Sequence, residues 1–197
     1  MYPNSIKNII DCFKDLPGIG EKTAERLAFS LINFSKEKLT SFSDSIIDVR
    51  DKLTNCSICG NITENDICDI CSDSNRNSKI VFVVEKAKDI PLFEKINIYN
   101  GKYHVLGGLI SPLEGIGPDD VNISCLISRI DKENIEEIIL ALKPSIEGET
   151  TMQYIKKILE NKNIKITRIA TGIPMGTDID YIDAMTLEFA LEGRKDI

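Results

Sequence analysis

The chain has no run of apolar residues long enough to cross a bilayer, only one histidine and no excess of basic charge. Each absence narrows what it can do. A membrane-spanning helix needs about 20 consecutive apolar residues, and the apolar runs here are of strand length. The amino terminus, Met1-Tyr-Pro-Asn-Ser-Ile-Lys7, carries neither the basic nor the apolar block of an export signal, so a cytoplasmic location with reducing surroundings is expected. His104 lies in a strand-like run, where a hydrogen-bonded structural role outweighs acid–base work. Tyr99, Tyr103, Tyr154 and Tyr181 stand in no context that marks a nucleophile. The net charge is −7 and unevenly spread: eight basic and eight acidic residues precede Cys56, sixteen and twenty-three follow. A nucleic-acid surface is therefore to be sought near the front. Without a wide basic field its contact should be weak and salt-sensitive unless several copies act together.

What the chain does have is a set of cysteines. With 197 residues, 42% hydrophobic and 28% charged, there is room for one full domain and one or two small ones. Cys56-Ser-Ile-Cys59 and Cys68-Asp-Ile-Cys71 form two CxxC pairs separated by eight residues. Each pair sets two thiolates on one tight turn, and two facing turns give the tetrahedral shell of a structural zinc ion, one per chain. Four sulfurs leave no open position for water, so the metal folds a segment too short to own a core. Two disulfides or a redox CxxC fit poorly in a reducing compartment. Cys12 and Cys125 are expected as free thiols in packed segments.

Ahead of the cysteines, Ser5 followed by Ile6, Ile9, Ile10 and Phe13 predicts a capped amphipathic helix ending at Leu16-Pro17-Gly18. A second helix carries Ala24, Leu27, Ala28 and Leu31 on one face. In the hairpin between them Pro17 and Gly18 turn the chain and Ile19 can plug the helices. Gly20 lets the backbone at the second helix's start approach a phosphate oxygen. Lys22 and Arg26, four apart, share a face and could extend that anion site along a DNA strand, positioning without reading bases. The segment resembles a helix-hairpin-helix motif; a packing corner or a protomer contact is the competing reading. Gly18-Ile-Gly20-Glu-Lys22-Thr23 is not a phosphate-binding P-loop, because Glu21 separates Gly20 from Lys22. A third helix from about Ser35 to Leu53 carries Leu39, Phe42, Ile46, Val49 and Leu53, a stripe that fits core or protomer contact.

Beyond a polar linker, strands are expected at Ile80–Val84, Tyr103–Leu106, Glu136–Leu142 and Lys165–Ala170. Helices are expected from about Asp89, near Ser124–Asp131, from Glu149 to Asn161 and from Ile179 to Leu191. The alternation implies an open α/β sheet of mostly parallel order. Functional groups gather at the carboxyl ends of such strands. Glu85 ends the first, and Glu147 and Glu149 follow the Ile138–Leu142 strand, a set that could hold Mg²⁺. Solvated carboxylates or an acidic face for a protein partner would look the same. Asp178-Ile-Asp180-Tyr-Ile-Asp183 lacks the glycine and terminal glutamate of an EF-hand and suits a cap for the last helix.

A strand-end glutamate with a later acidic pair resembles a Toprim domain. The whole order adds Tyr103-His-Val-Leu-Gly-Gly108, Ser111-Pro-Leu-Glu-Gly-Ile-Gly-Pro-Asp-Asp120 and Arg168-Ile-Ala-Thr-Gly-Ile-Pro-Met-Gly176, and it resembles the RecR family of bacterial recombination mediators over essentially the full chain. The resemblance implies an α+β multidomain protein: a helix-hairpin-helix region for DNA binding and oligomerisation (1–55), a C4 zinc finger (56–71), an α/β Toprim domain (79–174) and a C-terminal helical segment (175–197). It implies a non-enzymatic DNA repair mediator that works with RecO-like and RecF-like proteins to help load RecA at single-stranded gaps. Its oligomer, a dimer or a tetrameric ring, would gather Lys22 and Arg26 of several protomers around DNA. The alternative is a Mg²⁺-dependent Toprim nuclease or primase-like enzyme with Glu85 as general base. Glu147-Gly-Glu149 replaces the Asp-x-Asp usual in catalytic Toprim enzymes, and Lys143 stands where RecR relatives commonly have asparagine.

Overall fold

The computed structural model describes residues 2–194. The chain divides into two compact units, the first ending at Leu53 and the second beginning at Thr54.

The first unit holds α1 (Asn4–Lys14), α2 (Glu21–Leu31) and α3 (Lys36–Asp51). Ser5 is not the cap of α1: Pro3 occupies that position with no side-chain cap, its ring presetting the backbone for the turn that follows. Ile10 packs on Ala24 and Ala28, with Ile6, Ile9, Phe13 and Ile19 around them. The two alanines stand one turn apart, so α2 presents a shallow face that α1 can approach closely. Ser35 caps α3, accepting from the Lys38 N–H at 3.3 Å. The stripe on α3 is not core: Leu39, Phe42, Ile46, Val49 and Leu53 are all exposed, and no residue of the helix is buried.

The second unit is built on four parallel strands, β3 (Asn77–Val84), β4 (Gly101–Val105), β5 (Glu137–Ala141) and β6 (Lys165–Arg168), in the order β4-β3-β5-β6. A short antiparallel pair, β1 (Thr54–Asn55) and β2 (Ile62–Thr63), and α4 (Asp69–Ser72) precede the sheet. The central strand is apolar on both faces because both are covered. Val81 and Val83 join Ile138 and Leu140 beneath α6 (Ile123–Glu133) and α7 (Ile146–Ile158), where Leu126, Ile130 and Ile155 are buried. Phe82, Val84, Tyr103 and Val105 face the other way, against Ile90 and Phe93 of α5 (Ile90–Ile96). The direction in which successive strands are added reverses between β3 and β5, so the carboxyl ends of these two strands are the switch point where parallel sheets tend to place functional groups.

The loop after β4 is ordered by short helical turns at Pro112–Glu114 and Pro118–Asp120, by a Ser111–Ile116 bridge and by the buried Thr151 hydroxyl accepting from the Ile110 N–H at 2.9 Å. At the carboxyl end the helix is shorter than expected. Ile179–Tyr181 is a separate turn, and α8 (Ala184–Glu192) starts after Asp183, whose carboxylate accepts from the Thr186 N–H at 2.9 Å. That aspartate is the expected cap. Residues 195–197 of the expected 175–197 segment lie outside the described residues.

Candidate metal centre and nucleic-acid interface

The four cysteines of the paired motif converge. Their Sγ atoms all lie within 4.8 Å of one another, and Cys56, Cys59 and Cys68 are buried. Cys59 Sγ and Cys68 Sγ are 3.6 Å apart, far too long for a disulfide. A tetrahedral site with Zn–S bonds of about 2.3 Å has sulfurs about 3.8 Å apart, close to the Cys59–Cys68 separation, so the donor set fits zinc. Backbone N–H groups of Asn61 and Cys68 point at the sulfurs of Cys59 and Cys56, at 3.4 and 3.3 Å, which favours thiolate. The thiols do not ionise together unaided. A hydrogen bond shared with Cys71, and burial, push Cys59 up. Its partner Cys71, which also faces Arg129, is lowered to about 6. A divalent cation at the centre removes the conflict by binding all four as thiolates. Cys12 and Cys125 are free, as expected, but exposed rather than packed.

The finger is sewn to the sheet. Val105 N–H on the open edge of β4 donates to Cys59 O at 2.7 Å. On the same edge Arg129 donates to Tyr103 O at 2.6 Å and Asn122 Nδ2 to Val105 O at 3.2 Å. An edge that would otherwise template aggregation is thereby closed. Lys102 donates to Ile70 O, Cys71 O and Asp73 O at 2.8, 3.1 and 2.5 Å. Arg76, just after the finger, pairs with Glu94, which also accepts from the Tyr103 hydroxyl at 2.7 Å. None of these contacts can be read from spacing. The weak signals were a lysine inside an apolar strand and Arg129 on the same helical stripe as Leu126 and Ile130.

At the carboxyl ends of the strands, Glu85 directly follows β3 and pairs with Lys86 at 3.2 Å. Glu147 and Glu149 lie not on a strand end but in the first turn of α7, where Ser145 caps the helix by accepting from the Gly148 N–H. Glu149 is engaged by Arg168 at 2.8 Å. The Glu147 carboxyl is held below the usual range by hydrogen bonds to Ser145 and to its own backbone N–H, aided by Lys143. Negative charge in a first turn also suits the helix dipole. Among the described residues the cysteines are the only group of three or more such ligands that close together, so Glu85, Glu147 and Glu149 do not form one. Two residues apart on a helix, Glu147 and Glu149 face different directions. Gly148 between them is required by packing: a Cβ there would fall on the Lys143 carbonyl oxygen. The lone histidine is structural in this geometry, fully buried, with Nε2–H donating to Asn122 O at 2.8 Å.

The hairpin forms as expected. Ile19 N–H donates to Leu16 O at 3.2 Å and Gly18 takes φ +80°, a left-handed value that favours glycine. Gly20 is the N-cap of α2 at φ −87°, an ordinary conformation, and a Cβ there would meet no atom of the chain. No side chain caps α2, so its first N–H groups are left open. Lys22 and Arg26 are exposed and, among the described residues, make no ion pair.

A helical hairpin module, a four-cysteine zinc centre and a parallel Toprim-type sheet, in this order, define a class of zinc-bearing Toprim proteins. Family models match each part in turn: RecR helix-hairpin-helix at residues 6–50, the RecR four-cysteine zinc finger domain at 53–73, Toprim at 79–170 and RecR C-terminal at 172–195. A recombination protein RecR of Natranaerobius thermophilus is 46% identical over 196 residues, covering 100% of this chain and 98% of the relative. Its counterpart in Lactobacillus johnsonii is 47% identical over 197 residues, covering 100% and 99%. The chain belongs to the RecR family, and its cysteine cluster is a structural zinc site. No helix among the described residues is long and apolar enough to cross a membrane.

Proposed function

We propose that this protein is a non-enzymatic mediator of DNA recombination and repair, which binds DNA as an oligomer and acts with RecO-like and RecF-like proteins to help load RecA at single-stranded gaps. The recombination role follows its full-length relatives, which are named for it. The DNA contact is carried by the hairpin. Open N–H groups at the start of α2, a Gly20 whose side-chain space the protein leaves empty, and the unpaired Lys22 and Arg26 form one anion-seeking surface. The packing of the hairpin does not explain the glycine at position 20, whereas a phosphate approaching the backbone does. Lys22 and Arg26 supply little charge per chain, so useful affinity needs several copies, and the exposed apolar stripe on α3 suits contact between protomers.

The division of labour proposed is 1–55 for DNA and protomer contact, 56–71 for zinc, 79–174 for the Toprim domain and 175–197 for a C-terminal segment. Glu85, Glu147 and Glu149 are assigned to contact with a protein partner rather than to one Mg²⁺ ion, a reading supported by their lack of convergence and by the engagement of Glu149 by Arg168. A nuclease or primase-like role would need these carboxylates free to converge on Mg²⁺. The test is the mass of the protein in solution, alone and with a DNA duplex, across concentration and salt. A tetramer that retains DNA is expected. A monomer indifferent to DNA at low salt would overturn the proposal, as would Mg²⁺-dependent cleavage of labelled DNA that vanishes in Glu85→Ala.

A further inference from the structure

Lys102 is a buried ammonium, 6% exposed, with no carboxylate partner among the described residues. All three of its N–H groups are used, and all three donate to neutral carbonyl oxygens, those of Ile70, Cys71 and Asp73. Such bonds solvate a cation but do not neutralise it, and lysine is almost never this buried without a counter-charge. The carbonyls belong to the second zinc knuckle, and one is that of the ligand Cys71 itself. A zinc ion held by four thiolates carries about two negative charges, the natural counterpart of a buried cation. Arg129, 5% exposed and anchored to Tyr103 O next along β4, is already matched by the Glu133 carboxylate at 3.0 Å. Arg129 also acts on the Cys71 thiol, but Lys102, unlike it, makes no ion pair among the described residues and is bonded to the backbone of the metal ligand itself.

We propose that Lys102 is a positioning residue of the zinc site, whose ammonium compensates the charge of the metal–tetrathiolate centre from the sheet and fixes the backbone of its second knuckle. The zinc and the lysine then depend on each other. Metal loss strands a buried cation, and lysine loss takes from the dianionic centre the buried cation that has no other ion pair.

The experiment compares Lys102→Gln, which keeps donors but not charge, and Lys102→Met, which keeps neither, with the exposed Lys132→Gln, which makes the same change in net charge elsewhere in the unit. Zinc release to a chromophoric chelator should be about ten- to a hundredfold faster in both Lys102 variants and unchanged in Lys132→Gln. In cobalt-substituted protein the thiolate-to-cobalt charge-transfer band should move to longer wavelength in Lys102→Gln, because removing a nearby cation raises the sulfur orbitals. Wild-type release rates in both variants would overturn the proposal, as would faster release with an unmoved band, which marks packing alone. In the wild-type protein, where no variant has to fold, NMR should show the Lys102 ammonium protons protected from solvent exchange until zinc is stripped. Protection that survives stripping would equally overturn it.

Discussion

The backbone N–H of Val105 donates to the carbonyl of Cys59 at 2.7 Å, joining a zinc ligand directly to the outer strand of the sheet. The finger is thus part of the Toprim unit rather than an appendage, and what disturbs the metal should disturb the sheet.

Purified protein handled without chelator should carry one zinc per chain. Cys59→Ser should lose it, uncover the edge of β4 and aggregate. Elemental analysis with light scattering checks both. A zinc-free protein that is folded and monodisperse would refute the coupling.

Lys22→Ala combined with Arg26→Ala should weaken DNA binding to a similar extent for unrelated sequences and make the salt dependence shallower, since phosphate contacts carry no base information. Titrations at several salt concentrations decide it. Gly20→Ala should fold normally, because nothing in the chain meets the added methyl, yet bind DNA less well.

Gly148→Ala should destabilise the protein by about 1–3 kcal/mol, the usual range for overpacking, because the methyl falls on the Lys143 carbonyl at the start of α7. Urea denaturation measures this. Stability equal to the wild type would mean that the carbonyl yields freely.

Acid should weaken the fold partly through His104. Burial, with a smaller contribution from Arg129 and despite its bond to Asn122 O, lowers its pKa from 6.5 to about 4. Its contribution is fully present above the unfolded value, falls as pH drops below 6.5 and is gone below about 4; a shift of this size corresponds to roughly 3 kcal/mol. His104→Gln, which can keep a donor toward Asn122 O, should have a flatter stability profile across that window. The difference between the two curves isolates the histidine from loss of zinc. Parallel curves would refute the assignment.

Much of this was legible because it is local. Two thiolates three residues apart on a turn, Ile19 between two helices, the start of the third helix near Ser35, Asp183 as a cap and the apolar run of β3 are each set within a few bonds of the residues that announce them. The acidic set shows where that reasoning stops. Glu147 and Glu149 look like a strand-end pair in a linear reading. Ser145 starts a helix beneath them and Arg168, nineteen residues on, takes one of them. The stripe on α3 has helical periodicity whether or not anything covers it, and among the described residues nothing does.

The order of parts, the zinc ligands and the hairpin are written in the chain itself, because spacing within one turn dictates which side chains share a face. Folding in three dimensions was needed to bring Lys102 to carbonyls up to 32 residues away and Arg129 back across 26 residues to close the edge of β4. The reason is physical: a buried charge is placed by whatever polar groups the folded chain happens to bring beside it, and no local periodicity encodes that meeting.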